Sequence, residues 1–158
     1  MIILAIDPGV ERLGIAILTK TNATIACEMS DTITTLKKLS QTERIGQIYT
    51  SIREVCSKYK PNQIVMERLF FAKNVKTAIA VAQVQGMIHL LGHQLSISVA
   101  EIAPNAIKLA VTGYGMADKR AIKKMIDLQV ILPKKKRMDD EYDAIACGFA
   151  FLLSLRGA

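Results

Sequence analysis

Five short apolar runs, rich in β-branched residues, alternate with longer stretches of helical spacing, and that order leaves few folds open. The runs are residues 2–6, 14–18, 24–29, 63–67 and 97–99. Asp7-Pro8-Gly9 is turn chemistry between the first two, which predicts a hairpin. Residues 40–59 open on Ser40-x-x-Glu43, the pattern of a capping box. Ile45, Ile48, Tyr49, Ile52, Val55, Cys56 and Tyr59 then recur at helical spacing until Pro61 stops the helix. Asn74 is expected to cap a second long helix reaching about His93. Pro104 starts a short helix ending before Gly113, Asp118 caps a basic one to about Gln129, and the last spans 139–155. Three strands, helix, strand, helix, strand and then helices predict an α/β protein with a five-stranded mixed sheet and helices on both faces.

Carboxylates stand where this layout makes them conspicuous. Asp7 ends the first strand and Glu67 the fourth, each after an apolar run. Asp140 and Asp143, three apart, project from one face of the final helix. A turn aspartate, an exposed strand end and acids that suit a helix dipole would explain each separately. Together, four acids gathered near a buried sheet need a cation, either the chain's own lysines or bound metal. Hard oxygen ligands suit Mg²⁺, with Mn²⁺ able to substitute. Two such ions per site, about 3.5–4 Å apart, would serve phosphodiester hydrolysis.

The formal charge of +7 on 158 residues supports a polyanionic partner, nucleic acid before membrane. Eight of the 21 Lys and Arg fall between Lys119 and Arg137, among them Arg120, Lys123, Lys134 and Lys135. A solvated helix face would explain them too; on one surface they would track phosphates beside the metal site. Phe70 and Phe71, two of only eight aromatics, follow Glu67 closely, and one is expected to stack on an unpaired base while the other packs inward. Cys27, Cys56 and Cys147 are odd in number and lack a CxxC, as expected of reduced core residues in a cytoplasmic protein. Residues 77–100 hold no Asp, Glu, Lys or Arg, yet their Gln and His content argues against a membrane span. His89 and His93 lie four apart and are read as helix-face residues. Ala78, Ala82, Gln85, Gly86 and His89 make one side of that helix small and polar, suited to a two-fold contact.

Asp7-Pro8-Gly9 with Gly14, Glu67 followed by Phe70, Ala72-Lys73-Asn74, Glu101 with Pro104 and Lys108, Gly113-Tyr114-Gly115 with Ala117-Asp118-Lys119, and Asp140-Glu141-Tyr142-Asp143-Ala144 occur in that order. Over nearly its whole length the chain resembles the RuvC family of bacterial Holliday-junction resolvases. The resemblance implies a single ribonuclease-H-like nuclease domain over residues 1–158. It implies a homodimer that nicks four-way junction DNA in two opposed strands with Mg²⁺, in homologous recombination and DNA repair, beside the RuvA-RuvB branch-migration helicase. By position it gives Asp7, Glu67, Asp140 and Asp143 as catalytic metal ligands, Lys108 and Lys119 as active-site lysines and Phe70 as the stacking aromatic; Lys73 is expected to contact DNA as well. The tandem Asp139-Asp140 leaves Asp139 as an alternative ligand. Three other readings stand beside it. They are a sugar-kinase-like ATPase, whose phosphate loop shares the strand, Asp-x-Gly, strand pattern; a junction-binding protein without catalysis; and another ribonuclease-H-like nuclease.

Overall fold

The computed structural model describes residues 1–69 and 75–155. Its strands β1 (Ile2–Asp7), β2 (Arg12–Thr21), β3 (Thr24–Thr34), β4 (Gln63–Glu67) and β5 (Ser98–Ile102) form one sheet in the order β3-β2-β1-β4-β5. The β1–β2 and β2–β3 pairs are antiparallel, as hairpins require, and β1–β4 and β4–β5 are parallel across helical crossovers. The helices are α1 (Gln41–Tyr59), α2 (Val75–Leu95), α3 (Pro104–Thr112), α4 (Lys119–Gln129) and α5 (Asp139–Ser154).

Side-chain alternation splits the core in two. Ile3 and Ala5 of β1 pack with α3, α4 and α5, whereas Leu4 and Ile6 pack with α1 and α2. The sheet is therefore buried on both faces, as the continuous apolar runs required.

Local signals hold where the chemistry is strong. Ser40 Oγ accepts from the Glu43 amide and the Glu43 carboxylate accepts from the Ser40 amide, so the capping box forms. Pro104 sits in the first turn of α3, and Gly113 ends it with φ of 77°, a conformation that suits glycine. Asp118 Oδ1 accepts from the Ala121 amide at 2.8 Å and starts α4. The three cysteines are free and buried. Among the described residues no helix is long and apolar enough to cross a membrane. The third strand runs five residues past the expected end at Met29, because Ser30 to Thr34 complete the ladder with β2 beyond a bulge at Ile17 and Leu18. Asn74, expected as a helix cap, lies outside the described residues.

Close approach of α5 to the hairpin fixes the geometry that matters below. A Cβ on Gly14 would lie 1.9 Å from the Asp140 carbonyl oxygen, and one on Gly148 would lie 2.8 Å from Ala5 Cβ. Only glycine at these two positions lets the helix rest on the strands. Gly14→Ala must therefore push the first turn of α5 away from β2, and overpacking of this kind costs about 1–3 kcal/mol. Gly46→Ala, at a mid-helix position with open space, is the control and is expected to be neutral or stabilising. Thermal melts of the two variants check this; a Gly14→Ala protein as stable as the parent would refute the tight-packing account.

Candidate functional site

Strand register brings the first two acids together. Ile6 lies beside Met66 in the parallel β1–β4 pair, so Asp7 and Glu67 follow at adjacent strand ends. They share the side-chain parity of Ala5 and Val65, which face α5. From that helix Asp140 and Asp143 enter the same cavity of about 550 Å³, whose wall also includes Lys108 of α3 and Lys119 of α4. Asp139, the alternative ligand, is exposed and does not line it.

The electrostatics follow from that convergence. Burial, then the charges of Asp143, Glu67 and Asp140, push the Asp7 carboxyl from its ordinary 3.8 up to about 7, with Lys119 pulling the other way. Glu67 is also raised, by burial and by Asp143, while Lys108 and Lys119 oppose the shift. Two carboxylates are met by side-chain cations. Lys119 Nζ donates to Asp143 Oδ2 at 2.8 Å, which raises the lysine, and Arg12 Nε stands 3.3 Å from Asp140 Oδ2. Lys119 is a cation the sequence points to, whereas nothing in the sequence singles out Arg12. The Asp140 Oδ2 atom is buried and accepts no hydrogen bond, so its one partner is the long ionic contact to Arg12.

The donor set fits a hard divalent cation: four carboxylates with no sulfur or imidazole, one of whose oxygens accepts no hydrogen bond. As the side chains stand, no three Asp, Glu, His or Cys groups among the described residues are close enough to enclose an ion. Asp140 and Asp143 are instead paired with Arg12 and Lys119.

Between the two aspartates, Glu141 turns inward and is 4% exposed. Its Oε2 accepts from Ser30 Oγ and Lys135 Nζ, each at 2.6 Å, and its Oε1 accepts from the Met138 amide at 3.0 Å. These bonds clamp the start of α5 to β3. Lys135 also donates to the Ser30 carbonyl at 2.6 Å, so the ammonium expected to meet DNA is held by Ser30 and Glu141 while its side chain stays 39% exposed. Lys123 lies over the Tyr142 ring at 4.6 Å, while Arg120 and Lys134 are exposed. Phe70, Phe71 and Lys73 lie outside the described residues.

On α2, Gln85 was expected at a subunit contact. It is 8% exposed, and its Nε2 donates to the Glu67 carbonyl at 2.8 Å. Ala78 is buried too, leaving Val75, Ile79, Ala82, Gly86 and Leu90 on the outer face. His89 Nε2 lies 3.0 Å from Glu101 Oε1, an arrangement with one carboxylate and no second histidine.

Because the folded protein holds a proton on Asp7 that the unfolded chain releases near pH 3.8, stability falls as pH rises from there to about 7. Asp7→Asn removes this loss. In chelator the variant is expected to melt above the parent at about pH 8 by an amount that shrinks to nothing at about pH 3.5, of order a few kcal/mol at most. Melting curves across that range check it; a gap independent of pH would contradict the buried-cluster electrostatics.

Comparison with known proteins agrees with this geometry. The profile of the family described as "Crossover junction endodeoxyribonuclease RuvC" matches residues 3–151. A relative of that name from Thermosipho melanesiensis is 37% identical over 156 residues, covering 99% of each chain. Another from Roseiflexus sp. strain RS-1 is 38% identical over 143 residues, covering 90% of this chain and 85% of its own. The solved structure of Thermus thermophilus RuvC in complex with a Holliday junction substrate superposes with a TM-score of 0.91 at 24% identity, covering 99% of this chain and 95% of that one. The fold is that of the ribonuclease-H-like resolvases, and the chain belongs to the RuvC crossover junction endodeoxyribonuclease family.

Proposed function

We propose that this protein is a structure-selective endodeoxyribonuclease that resolves four-way DNA junctions by paired, symmetric hydrolysis of phosphodiesters, in recombination and repair. The observation that carries the reading is the convergence of Asp7, Glu67, Asp140 and Asp143 with Lys108 and Lys119 on one cavity. In this reading the four acids hold two Mg²⁺ ions, or Mn²⁺ in their place. When bound, the ions supply a water activated at neutral pH and stabilise the leaving oxygen.

The chain's own residues do the rest. Asp7 and Glu67, fixed by strand register, form the rigid side of the site, while Gln85 holds the Glu67 backbone in place. Asp140 and Asp143 ride on α5, whose first turn is fixed by Glu141. Lys119, 70% exposed at the mouth, can pass its hydrogen bond from Asp143 to a phosphate oxygen and stabilise charge developing there. Lys108 stands on the Glu67 side of the same wall. Arg120, Lys123 and Lys134 extend positive charge beyond it, giving affinity that falls with salt.

Paired incision requires two sites at a fixed separation. The outer face of α2 supports a homodimer: Val75, Ile79 and Leu90 are 68%, 57% and 55% exposed, with Ala82 and Gly86 between them. Phe70 and Lys73 retain their proposed DNA contacts on family grounds, as does association with the RuvA-RuvB helicase. Action on chromosomal junctions places the work in the cytoplasm.

A labelled synthetic four-way junction incubated with Mg²⁺ is expected to yield paired nicks, and junction binding without nicking, or ATP hydrolysis instead, would refute the reading. Lys119→Met is expected to bind the junction within about threefold of the parent and to cut it some 10²–10³-fold more slowly, as for loss of one charge-stabilising donor. Light scattering is expected to give a dimer, and Ile79→Asp a monomer that nicks single strands without pairing the cuts.

A further inference from the structure

The carboxylates have a second neighbour. On the side away from Lys108 and Lys119, a cavity of about 540 Å³ lies between the Asp7–Arg12 turn, the first turn of α1 and the start of α2. It shares Asp7 and Asp140 with the first cavity, so the two adjoin at the acids.

Arg12, Arg44 and Lys76 line this half. The acids on its wall are accounted for: Glu11 is paired with Lys37 at 2.8 Å, and Asp7 and Asp140 belong to the central cluster. Arg44 is held in place by its Nε, which donates at 2.8 Å to Thr35 Oγ1; that hydroxyl donates in turn to the Val10 carbonyl at 2.6 Å. One of its terminal nitrogens is buried with no hydrogen-bond partner, and among the described residues the guanidinium meets no carboxylate. A fixed, uncompensated guanidinium is a costly feature unless an anion comes to it. Arg12 is half-exposed and reaches Asp140 by a single long contact, which leaves most of its donors free to turn outward. Guanidinium forks match phosphate oxygens two at a time.

We propose that this cleft is a second phosphate subsite. It takes a phosphodiester adjacent to the one at the carboxylates, on the same strand, so that the backbone crosses the acids between Lys108 and Lys119 on one side and Arg12 and Arg44 on the other. The proposal rests on the nuclease reading. It explains why a cluster of four acids does not repel the strand: cations flank it on both sides along the path. Arg12 has a double place in it, pairing with Asp140 in the free protein and with the phosphate in the complex.

The test is equilibrium binding of the full-length protein to a four-way junction in chelator, where metal plays no part, over a series of salt concentrations. Arg12→Gln, Arg44→Gln and the double variant are compared with Lys58→Gln, a control on α1 outside the cleft. Each arginine variant is expected to bind on the order of tenfold more weakly at low salt, and to lower the slope of log affinity against log salt by about one, the double variant by about two. The control is expected to keep the parent slope. An unchanged slope in the double variant overturns the subsite. Should Arg44→Gln melt early through its lost bond to Thr35, Arg12→Gln on its exposed side chain decides alone. A parent protein that neither binds nor nicks the junction defeats the nuclease reading itself; a parent that does both, beside variants that bind as it does, defeats only the subsite.

Discussion

The parallel pairing of β1 with β4 places two carboxylates side by side at the end of a buried sheet, and the rest of the site is an accommodation to that fact. Like charges so placed resist ionisation, which is why the Asp7 carboxyl is pushed up to about 7. Two more acids on α5 add to the repulsion. A fold would not keep four such groups for stability, since apolar residues of similar size would serve the core better. What such a cluster gains is a high local affinity for cations, and the cations supplied by the chain itself, Lys119 and Arg12, already occupy part of that demand.

Helix α5 reconciles two opposed requirements. Its body carries Ala144, Ala146, Cys147, Gly148 and Ala150, small enough to lie flat on β1 and β2. Its first turn carries Asp139, Asp140 and Glu141, which favourably meet the positive end of the helix dipole. The apolar body sets the depth of the helix, and Glu141, bonded to Ser30, Lys135 and the Met138 amide, sets its rotation. The two aspartates on either side of Glu141 then have little freedom in where they point. Glu141 is thereby structural while Asp140 and Asp143 are left for chemistry, although all three look alike in the chain.

That likeness explains which parts of the site could be read in advance. The strands were legible because burial on both faces leaves short continuous apolar runs, and the helices because of a 3.6 period and the strong local signals of Ser40, Pro104, Gly113 and Asp118. Asp7 and Glu67 were legible because a carboxylate ending an apolar run is unusual. The bonds of Lys135 to Ser30 and Glu141 were not, since Lys134 to Arg137 reads as a uniform charged run, and only the buried Glu141 distinguishes one lysine from the next. Neither was the side of α2 that faces the protein. That helix is apolar or small around most of its circumference, so periodicity could not tell Gln85, bonded to Glu67, from Gly86 beside it. Arg12 escaped notice for a third reason. Its partner Asp140 is distant in the chain and is met only because Gly14 lets α5 approach β2.

Arg12 and Lys119 stand in the two adjoining cavities, on either side of the acids, each bound to one aspartate of the same helix. Their ion pairs are exposed on the cationic side, so they are weak and exchangeable. Under the proposed function this weakness is an advantage. Divalent ions arriving at the carboxylates would compete with both side chains, and the released guanidinium and ammonium would lie on either side of the acids along the strand to be cut. Occupation of the acids and grip on the backbone would then rise together, each favouring the other by the reciprocity that links two ligands of one site. A site whose acids were neutralised by buried, rigid ion pairs could not be coupled in this way, because breaking such a pair leaves a charge stranded in low dielectric.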